Sequence, residues 1–279
     1  MPNDFNQHVI DEFRAENGRV GGPFEGGRLI LLTTKGARSG ALHTNPVAYL
    51  PDGDRILIIA SAGGAPTHPD WFHNLVANPR VTVEDGTFTY DAEATVLPGD
   101  ERDRVFARAA EANPGWSDYQ AKTTRTIPVV ALRNVSDGPP NTNASSGGAA
   151  LKLIHDAFRR ELATIRKEIA ASGPVLGVQL RVNCLTACHG LHNHHTGEDL
   201  AIFPFLRRSR PETAPLLDRL RAEHGRLATL LADLQTAVSA ADADPETVRR
   251  DVERLTAELE DHLAYEEEQL IPLLDAPAP

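Results

Sequence analysis

The chain has 279 residues, a formal net charge of -11 and only two cysteines. That length accommodates two ordinary domains. An acidic balance with no basic tract argues against a nucleic-acid partner, and two cysteines exclude a disulfide framework. No apolar run approaches the ~20 residues that span a bilayer. The opening stretch from Met1 to Glu16 mixes acids and bases without an apolar core, so it is not a secretory signal and a cytoplasmic protein is expected.

In chain order, a helix is expected near Phe5 to Glu16, then a strand over Leu29 to Thr34. Strands over Thr44 to Leu50 and Arg55 to Ala60 flank a Pro51-Asp52-Gly53-Asp54 turn. After a short helix over Asp70 to Ala77, Val81 to Glu84 and Thr87 to Val96 flank Asp85-Gly86, a strong hairpin signal. A helix over Glu101 to Ala112 and a strand over Ile127 to Leu132 complete the set. Many short β-branched runs with few helices point to a small antiparallel barrel.

Two loops of this half carry chemistry. Thr33 to Gly40 leaves a buried strand with Lys35, Arg38, hydroxyls including Ser39, and two glycines, a composition that can offer N–H groups, hydroxyls and an Arg fork to a phosphate. Ser61-Ala62-Gly63-Gly64 follows a strand, and a glycine pair there lets a flat ligand approach the backbone. His68 to Asn74 follows, with Trp71 and Phe72 as a candidate aromatic wall or as core.

Ser136 to Ala149 is rich in Ser, Gly, Pro and Asn and reads as a flexible linker. The expected organisation is a first domain over 1–134, a linker over 135–150 and a second domain over 151–275. The second half reads as four helices: Leu151 to Ala171, Leu176 to Arg208, Glu212 to Ala241, and one from the Asp244-Pro245 start signal to Leu274. His155, His194 with Glu198, His224, and His262 with Glu266 fall one set per helix. The two His-x-x-x-Glu pairs each occupy one helix face. In an up-down-up-down bundle, at roughly 1.5 Å of rise per residue, all six arrive at one height to within about a turn. Imidazole and carboxylate together suit iron, manganese or zinc, and the expectation is a cage for two metal ions. His189, His192 and His195 lie off that stripe at 100° per residue and are expected to be solvated or to stand behind the ligands. Cys184 and Cys188, four apart on one helix, are a poor disulfide. They read as small buried residues, with an oxidation-responsive thiol pair as the alternative.

On these residues, with His194-His195-Thr196-Gly197-Glu198 and Ile202-Phe203-Pro204, Glu223-His224, His262 to Glu267 and Ile271-Pro272, the stretch from Leu151 to Leu274 resembles the hemerythrin-like family, the His-His-Glu cation-binding domain. The resemblance implies a di-iron site. It also marks two departures. Ala228 stands where oxygen-carrying members have a further histidine, which leaves a ligand missing or replaced, and Glu267 rivals Glu266.

Leu31 to Gly40, Asn45-Pro46, Ser61-x-Gly63-Gly64, Pro69-x-Trp71-x-x-Asn74-Leu75, Ala77-Asn78-Pro79, Asp118-Tyr119-Gln120 and Arg125-Thr126-Ile127-Pro128 are together similar to the deazaflavin-dependent nitroreductase family. This resemblance implies a split β-barrel of the FMN-binding kind that binds coenzyme F420, an 8-hydroxy-5-deazaflavin with a phosphate-linked tail. It assigns Lys35, Arg38 and Ser39 to the phosphate, and Asn45, Pro46, Ser61, Ala62, Gly63 and Gly64 to the deazaflavin. Trp71 and Asn74 support that wall. Members with several tyrosines in the substrate pocket differ from this chain, which has Ala48, Asn113 and Trp116 at those places and keeps Tyr119, the candidate proton donor or hydrogen-bonding group. The overall class is therefore multidomain α+β, a split β-barrel followed by an all-α up-down four-helix bundle.

The function expected from these resemblances is hydride transfer from reduced F420 to a small electron-poor acceptor such as a quinone, enone or nitro compound. The di-iron bundle would bind or sense oxygen, peroxide or nitric oxide. A non-enzymatic iron or oxygen sensor, whose barrel only binds a cofactor or lipid-like ligand, is the alternative. Turnover of NAD(P)H with a bound flavin is weaker, because no G-x-G-x-x-G follows a strand.

Overall fold

The computed structural model describes residues 4–136, 141–142 and 144–276. The chain divides into two compact units, one of Met1–Asn143 with Gly177–Gln179, the other of Ala144–Leu176 with Leu180–Pro279. The first unit runs α1 (Asp4–Ala15), β1 (Leu29–Lys35), β2 (Leu42–Asp52), β3 (Arg55–Ile59), α2 (Asp70–Ala77), β4 (Arg80–Glu84), β5 (Phe88–Val96), α3 (Gly99–Ala112), α4 (Gly115–Ala121), β6 (Val129–Asn134) and β7 (Asn141–Thr142).

The strands pair in the order β4-β1-β2-β3-β6-β5-β7, and a further β4–β5 pairing closes the first six into an antiparallel barrel. Closure removes the exposed strand edges that would otherwise template association. Alternation decides which side chains fill it. Ile30 and Leu32 of β1, Ile58 of β3, Val81 and Val83 of β4, and Val130 and Leu132 of β6 face inward. Leu29 and Leu31 face outward but are covered by Val9, Ile10 and Phe13 of α1. Leu57, Ile59, Val129 and Ala131 are likewise covered by Val105, Phe106 and Ala109 of α3. Strands buried on both faces read as continuous apolar runs, which is why Leu29 to Leu32 shows no alternation.

Two elements lie outside the sequence expectation. Helix α4 is seven residues long and has no buried residue, so no apolar period marks it. Strand β7 pairs with β5 through Phe88–Thr142 and Thr89–Asn141, inside the stretch read as linker. The rest of that linker reading is divided: residues 137–140 and 143 lie outside the described residues, and Ser146 caps the next helix with Oγ accepting from Ala149 N at 3.1 Å.

The second unit consists of α5 (Gly147–Ala171), α6 (Val178–Gly197) from Leu180 onward, a π-helical turn (Glu198–Ile202), α7 (Phe203–Ser209), α8 (Ala214–Ser239) and α9 (Pro245–Asp275). The second helix, expected as one piece, is interrupted by the π turn, in which Phe203 N–H reaches the Glu198 carbonyl five residues back. Pro204 follows with no N–H to continue the ordinary ladder. Two apolar layers fill the bundle. One holds Leu162, Leu191, Leu227, Leu259 and Leu263, the other Leu151, Phe203, Leu220 and Leu270. On each helix the chemically interesting residues fall between a member of the first layer and a member of the second. No helix among the described residues is long and apolar enough to cross a membrane.

Candidate functional site

The layer between the two apolar clusters is a polar cage. His155, His194, Glu198 and Glu266 form one group, and His195, His224 and His262 another, each with ligand atoms within 4.8 Å of one another. His155 and Glu266 are fully buried and Glu198 is 2% exposed. Two carboxyl groups in such a layer need a proton or a cation to offset the cost of burial. Among the described residues, seven buried atoms of the cage have no hydrogen-bond partner: Nε2 of His195, His224 and His262, and both oxygens of Glu198 and of Glu266. Unpartnered imidazole nitrogens and carboxylate oxygens facing one volume are the donor set of a cation site.

The two carboxylates lie between the groups. Glu198 Oε1 is 3.4 Å from His194 Nε2, and its Oε2 is 3.6 Å from His224 Nε2. Glu266 Oε2 is 3.5 Å from both His155 Nε2 and His262 Nε2. Each carboxylate therefore faces both groups, the disposition of a bridge.

Three of the histidines are held from behind by carboxylates. His155 Nδ1 is 3.0 Å from Glu267 Oε1, His224 Nδ1 3.1 Å from Asp199 Oδ1, and His262 Nδ1 3.0 Å from Glu223 Oε2. An ionised carboxylate only accepts, so each Nδ1–H donates and the Nε2 lone pair is left for the cage. Each carboxylate in turn meets an outer cation: Arg159 with Glu267 at 2.6 Å, Arg221 with Asp199 at 3.4 Å and Arg219 with Glu223 at 2.9 Å.

The electrostatics match. Burial pushes the His155 imidazolium down to about 3, with Arg159 adding to it, and His224 down to about 4, chiefly by burial. His194, His195 and His262 are also lowered by burial. Burial raises Glu266 to about 8, with Glu223 next in effect, and raises Glu198 as well. Neutral imidazoles and carboxyls that hold protons until a cation displaces them are a site prepared for metal. A surface pocket of about 190 Å³ lined by Arg219, Glu223, Leu227, His262 and Tyr265 opens beside this cage.

All six histidines and glutamates expected from the sequence meet in the cage, and of the two places expected for His195, in solvent or behind the ligands, the first does not hold. His195 is not solvated. It is 5% exposed, stacks on His224 at 4.4 Å between ring centroids, and lies 5.3 Å from His262. His189 and His192 are exposed. Adjacent helical residues stand 100° apart, and His194 falls in one group of side chains and His195 in the other. Glu266 lies in the cage and Glu267 behind it. Asp199 and Glu223 were not singled out as partners, although each adjoins a cage residue in sequence. Cys184 and Cys188 are both buried, and burial pushes the Cys188 thiol up to about 12, which leaves it no reactive thiolate at neutral pH.

In the barrel unit, Lys35, Arg38 and Ser39 are exposed on the β1–β2 loop. The loop is tight: Gly36 N–H donates to the Ala41 carbonyl at 2.7 Å, and a Cβ at Gly36 would lie 2.4 Å from Ser39 Oγ. Asn74 braces it from α2, accepting from Ala37 N–H at 3.0 Å and donating to Thr34 Oγ1 at 3.1 Å. Trp71 is 8% exposed and packed in the barrel core, and Asn74 is 9% exposed. Both therefore back the site from inside, and Trp71 does not present a face to a ligand.

Asn45 and Pro46 sit on β2 opposite Leu32 and Leu31. After β3 the chain turns through Ala62, Gly63 and Gly64 with φ of 47°, 63° and 85°. A left-handed alanine is a strained residue of the kind found at functional sites. The two glycines serve different ends. A Cβ at Gly64 would lie 2.8 Å from the Tyr119 carbonyl and from Lys122 Cβ, whereas nothing lies within 4 Å of one at Gly63. Gly64 thus brings α4 and Tyr119 to the turn, and Gly63 faces open space. Tyr119 packs edge-on against Trp116 at 6.1 Å, and Lys122 Nζ lies 5.2 Å above its ring.

A barrel with a cation-bearing loop and an open glycine turn, joined to a bundle with a buried His/Glu cage, defines a two-part redox protein. Residues 6–134 match the family model of F420H(2)-dependent quinone reductase, and residues 146–274 that of the hemerythrin HHE cation binding domain. An F420H(2)-dependent quinone reductase of Mycobacterium tuberculosis is 38% identical over 124 residues, covering 43% of this chain and 83% of that protein. A putative F420H(2)-dependent quinone reductase of the same species is 33% identical over 104 residues, covering 37% of this chain and 87% of that one. A solved F420-H2 dependent reductase is 39% identical, with a TM-score of 0.35, covering 38% of this chain and 94% of its own. The chain belongs to the F420H(2)-dependent quinone reductase family of oxidoreductases and carries a hemerythrin-type cation-binding domain behind it.

Proposed function

We propose that the barrel unit uses reduced coenzyme F420 to reduce a small electron-poor acceptor, a quinone, enone or nitro compound, and that the bundle holds two iron ions and binds or senses oxygen, peroxide or nitric oxide. When bound, the deazaflavin supplies the hydride. The chain's residues bind, orient and exclude water. Lys35, Arg38 and Ser39 take the phosphate of the tail. Asn45, Pro46, Ser61, Ala62, Gly63 and Gly64 line the ring system, with Trp71 and Asn74 holding that wall from behind. Tyr119, brought to the turn by Gly64, donates a proton or hydrogen bond to the acceptor. The observation that carries this reading is the pairing of an open left-handed turn with an exposed cationic loop, both held from α2, since Phe72 packs at 4.8 Å on His68 beside the turn while Asn74 braces the loop.

In the bundle we assign His155, His194, Glu198 and Glu266 to one ion, and His195, His224 and His262, with the same carboxylates, to the other. The mixed imidazole and carboxylate set suits iron, with manganese or zinc as competitors. We assign the protein to the cytoplasm, in keeping with a chain that has only two cysteines and so no disulfide framework.

The test is to measure metal content and the visible spectrum of the purified chain, then add reduced F420 and follow its oxidation with and without a quinone. Quinone-dependent oxidation with two irons per chain is expected. No deazaflavin binding, or no acceptor-dependent oxidation, overturns the reductase reading. Full metal loading of a chain carrying both His194→Ala and Glu198→Ala overturns the cage.

A further inference from the structure

We propose that Arg125 is a positioning residue of the deazaflavin site: it fixes the Ser61–Ala62 peptide and holds beside it a positive charge that favours the anionic form of the bound ring. This rests on the reading of the Ser61–Gly64 turn as the deazaflavin wall.

Arg125 lies between α4 and β6, and its guanidinium gathers the turn. Its Nε donates to the Ala65 carbonyl at 2.9 Å, Nη1 to the Ala60 carbonyl at 3.2 Å, and Nη2 to the Ser61 carbonyl at 2.6 Å. Nη1 also lies 2.9 Å from His68 Nδ1. Arginine only donates, so His68 Nδ1 accepts and its proton sits on Nε2. Four of the five guanidinium N–H groups are thus used, all on neutral acceptors. No carboxylate pairs with Arg125 among the described residues, and burial lowers its proton affinity. Other arginines of this unit, such as Arg55 and Arg108, are paired with carboxylates.

Two consequences follow. The Ser61 carbonyl, which also accepts from Gly64 N–H at 2.9 Å, is turned toward Arg125. In a trans peptide the Ala62 N–H then points the opposite way, away from the guanidinium. The charge, having no counter-ion, is felt by whatever anion occupies the open side of the turn. The other titratable groups around it are His68, held neutral by burial and by Arg125, His73 at 5.8 Å from His68, Tyr119, and Lys122 above the Tyr119 ring. The 8-hydroxyl of an oxidised deazaflavin ionises to an anion delocalised across the ring, and that ionisation changes its visible absorption.

The experiment titrates oxidised F420, and separately its tail-less deazaflavin riboside, into the full chain and into the Arg125→Gln and Arg125→Lys variants, and records the ionisation midpoint of the bound chromophore. Arg125→Gln is expected to weaken binding about tenfold and to raise the midpoint by about one pH unit, because a lost positive charge disfavours the anion. Arg125→Lys keeps the charge and loses the fork, so binding weakens and the midpoint stays. Both effects persist with the riboside, whereas a Lys35→Ala effect is confined to intact F420. A wild-type chain that binds neither ligand overturns the cofactor reading itself. A wild-type chain that binds, with an Arg125→Gln midpoint unmoved, overturns the role of Arg125 alone. Should Arg125→Gln not fold, unchanged affinity in Arg125→Lys overturns it.

Discussion

His195 and its neighbours illustrate how a cage is written in doublets. His194-His195, Glu198-Asp199, Glu223-His224 and Glu266-Glu267 each give one or both members to the cage, and the outward members Asp199, Glu223 and Glu267 hold histidines in place. The six expected residues were legible because helix period and bundle register depend only on spacing. His195 was not, because one inward stripe per helix at 100° per residue leaves out the adjacent residue, whereas the buried layer takes in both His194 and His195. His195→Ala is therefore expected to lower metal content below two ions per chain, whereas His189→Ala and His192→Ala leave it unchanged, as metal analysis of the three variants will report. The cage also sets a pH dependence. Glu266 is raised from 4.5 to about 8, so the stability it gives the metal-free fold is present at low pH and lost as pH rises through that window. His155 and His224 are lowered from 6.5 to about 3 and about 4, so their contribution is present above 6.5 and lost as pH falls. Five lowered histidines outweigh two raised carboxyls below 6.5, and only the carboxyls act above it. The metal-free bundle should be most stable near pH 6.5, and loading at neutral pH should release protons, measurable with an indicator in weak buffer.

At the scale of the element, the turn after β3 separates two reasons for glycine that sequence cannot tell apart. Gly64→Ala places a Cβ against the Tyr119 carbonyl at a positive φ, and is expected to cost about 1–3 kcal/mol in denaturant unfolding and to impair turnover by moving α4. Gly63→Ala meets no neighbour, so its stability cost is limited to about 1 kcal/mol of backbone strain, and its effect falls on deazaflavin affinity instead. The barrel strands were legible from β-branched runs between turn residues, and the Asp85-Gly86 hairpin from its dipeptide. Helix α4 and strand β7 were not: the first buries nothing, and the second is two residues paired through backbone alone. The π turn was equally hidden, although Pro204 is the residue that calls for it.

For the whole molecule, two units with separate cores imply two chemistries that can be removed one at a time. A deazaflavin delivers electrons in pairs, as hydride, whereas iron chemistry proceeds one electron at a time, so the bundle is not the expected acceptor. A chain carrying both His194→Ala and Glu198→Ala should lose its metal and keep acceptor-dependent F420 oxidation within about twofold in kcat, a change of less than about 0.5 kcal/mol in barrier. A collapse of reductase activity on metal loss would make the bundle part of the catalytic path. The two carboxylates that face both groups of histidines have a consequence for how the bundle fills. An ion held at one group would draw Glu198 and Glu266 into their charged form and fix their rotamers, which would prepare the other group for a second ion. Occupancy should then rise sigmoidally in a metal titration, with singly loaded chains scarce at every stoichiometry, and chelators should strip the ions as a pair.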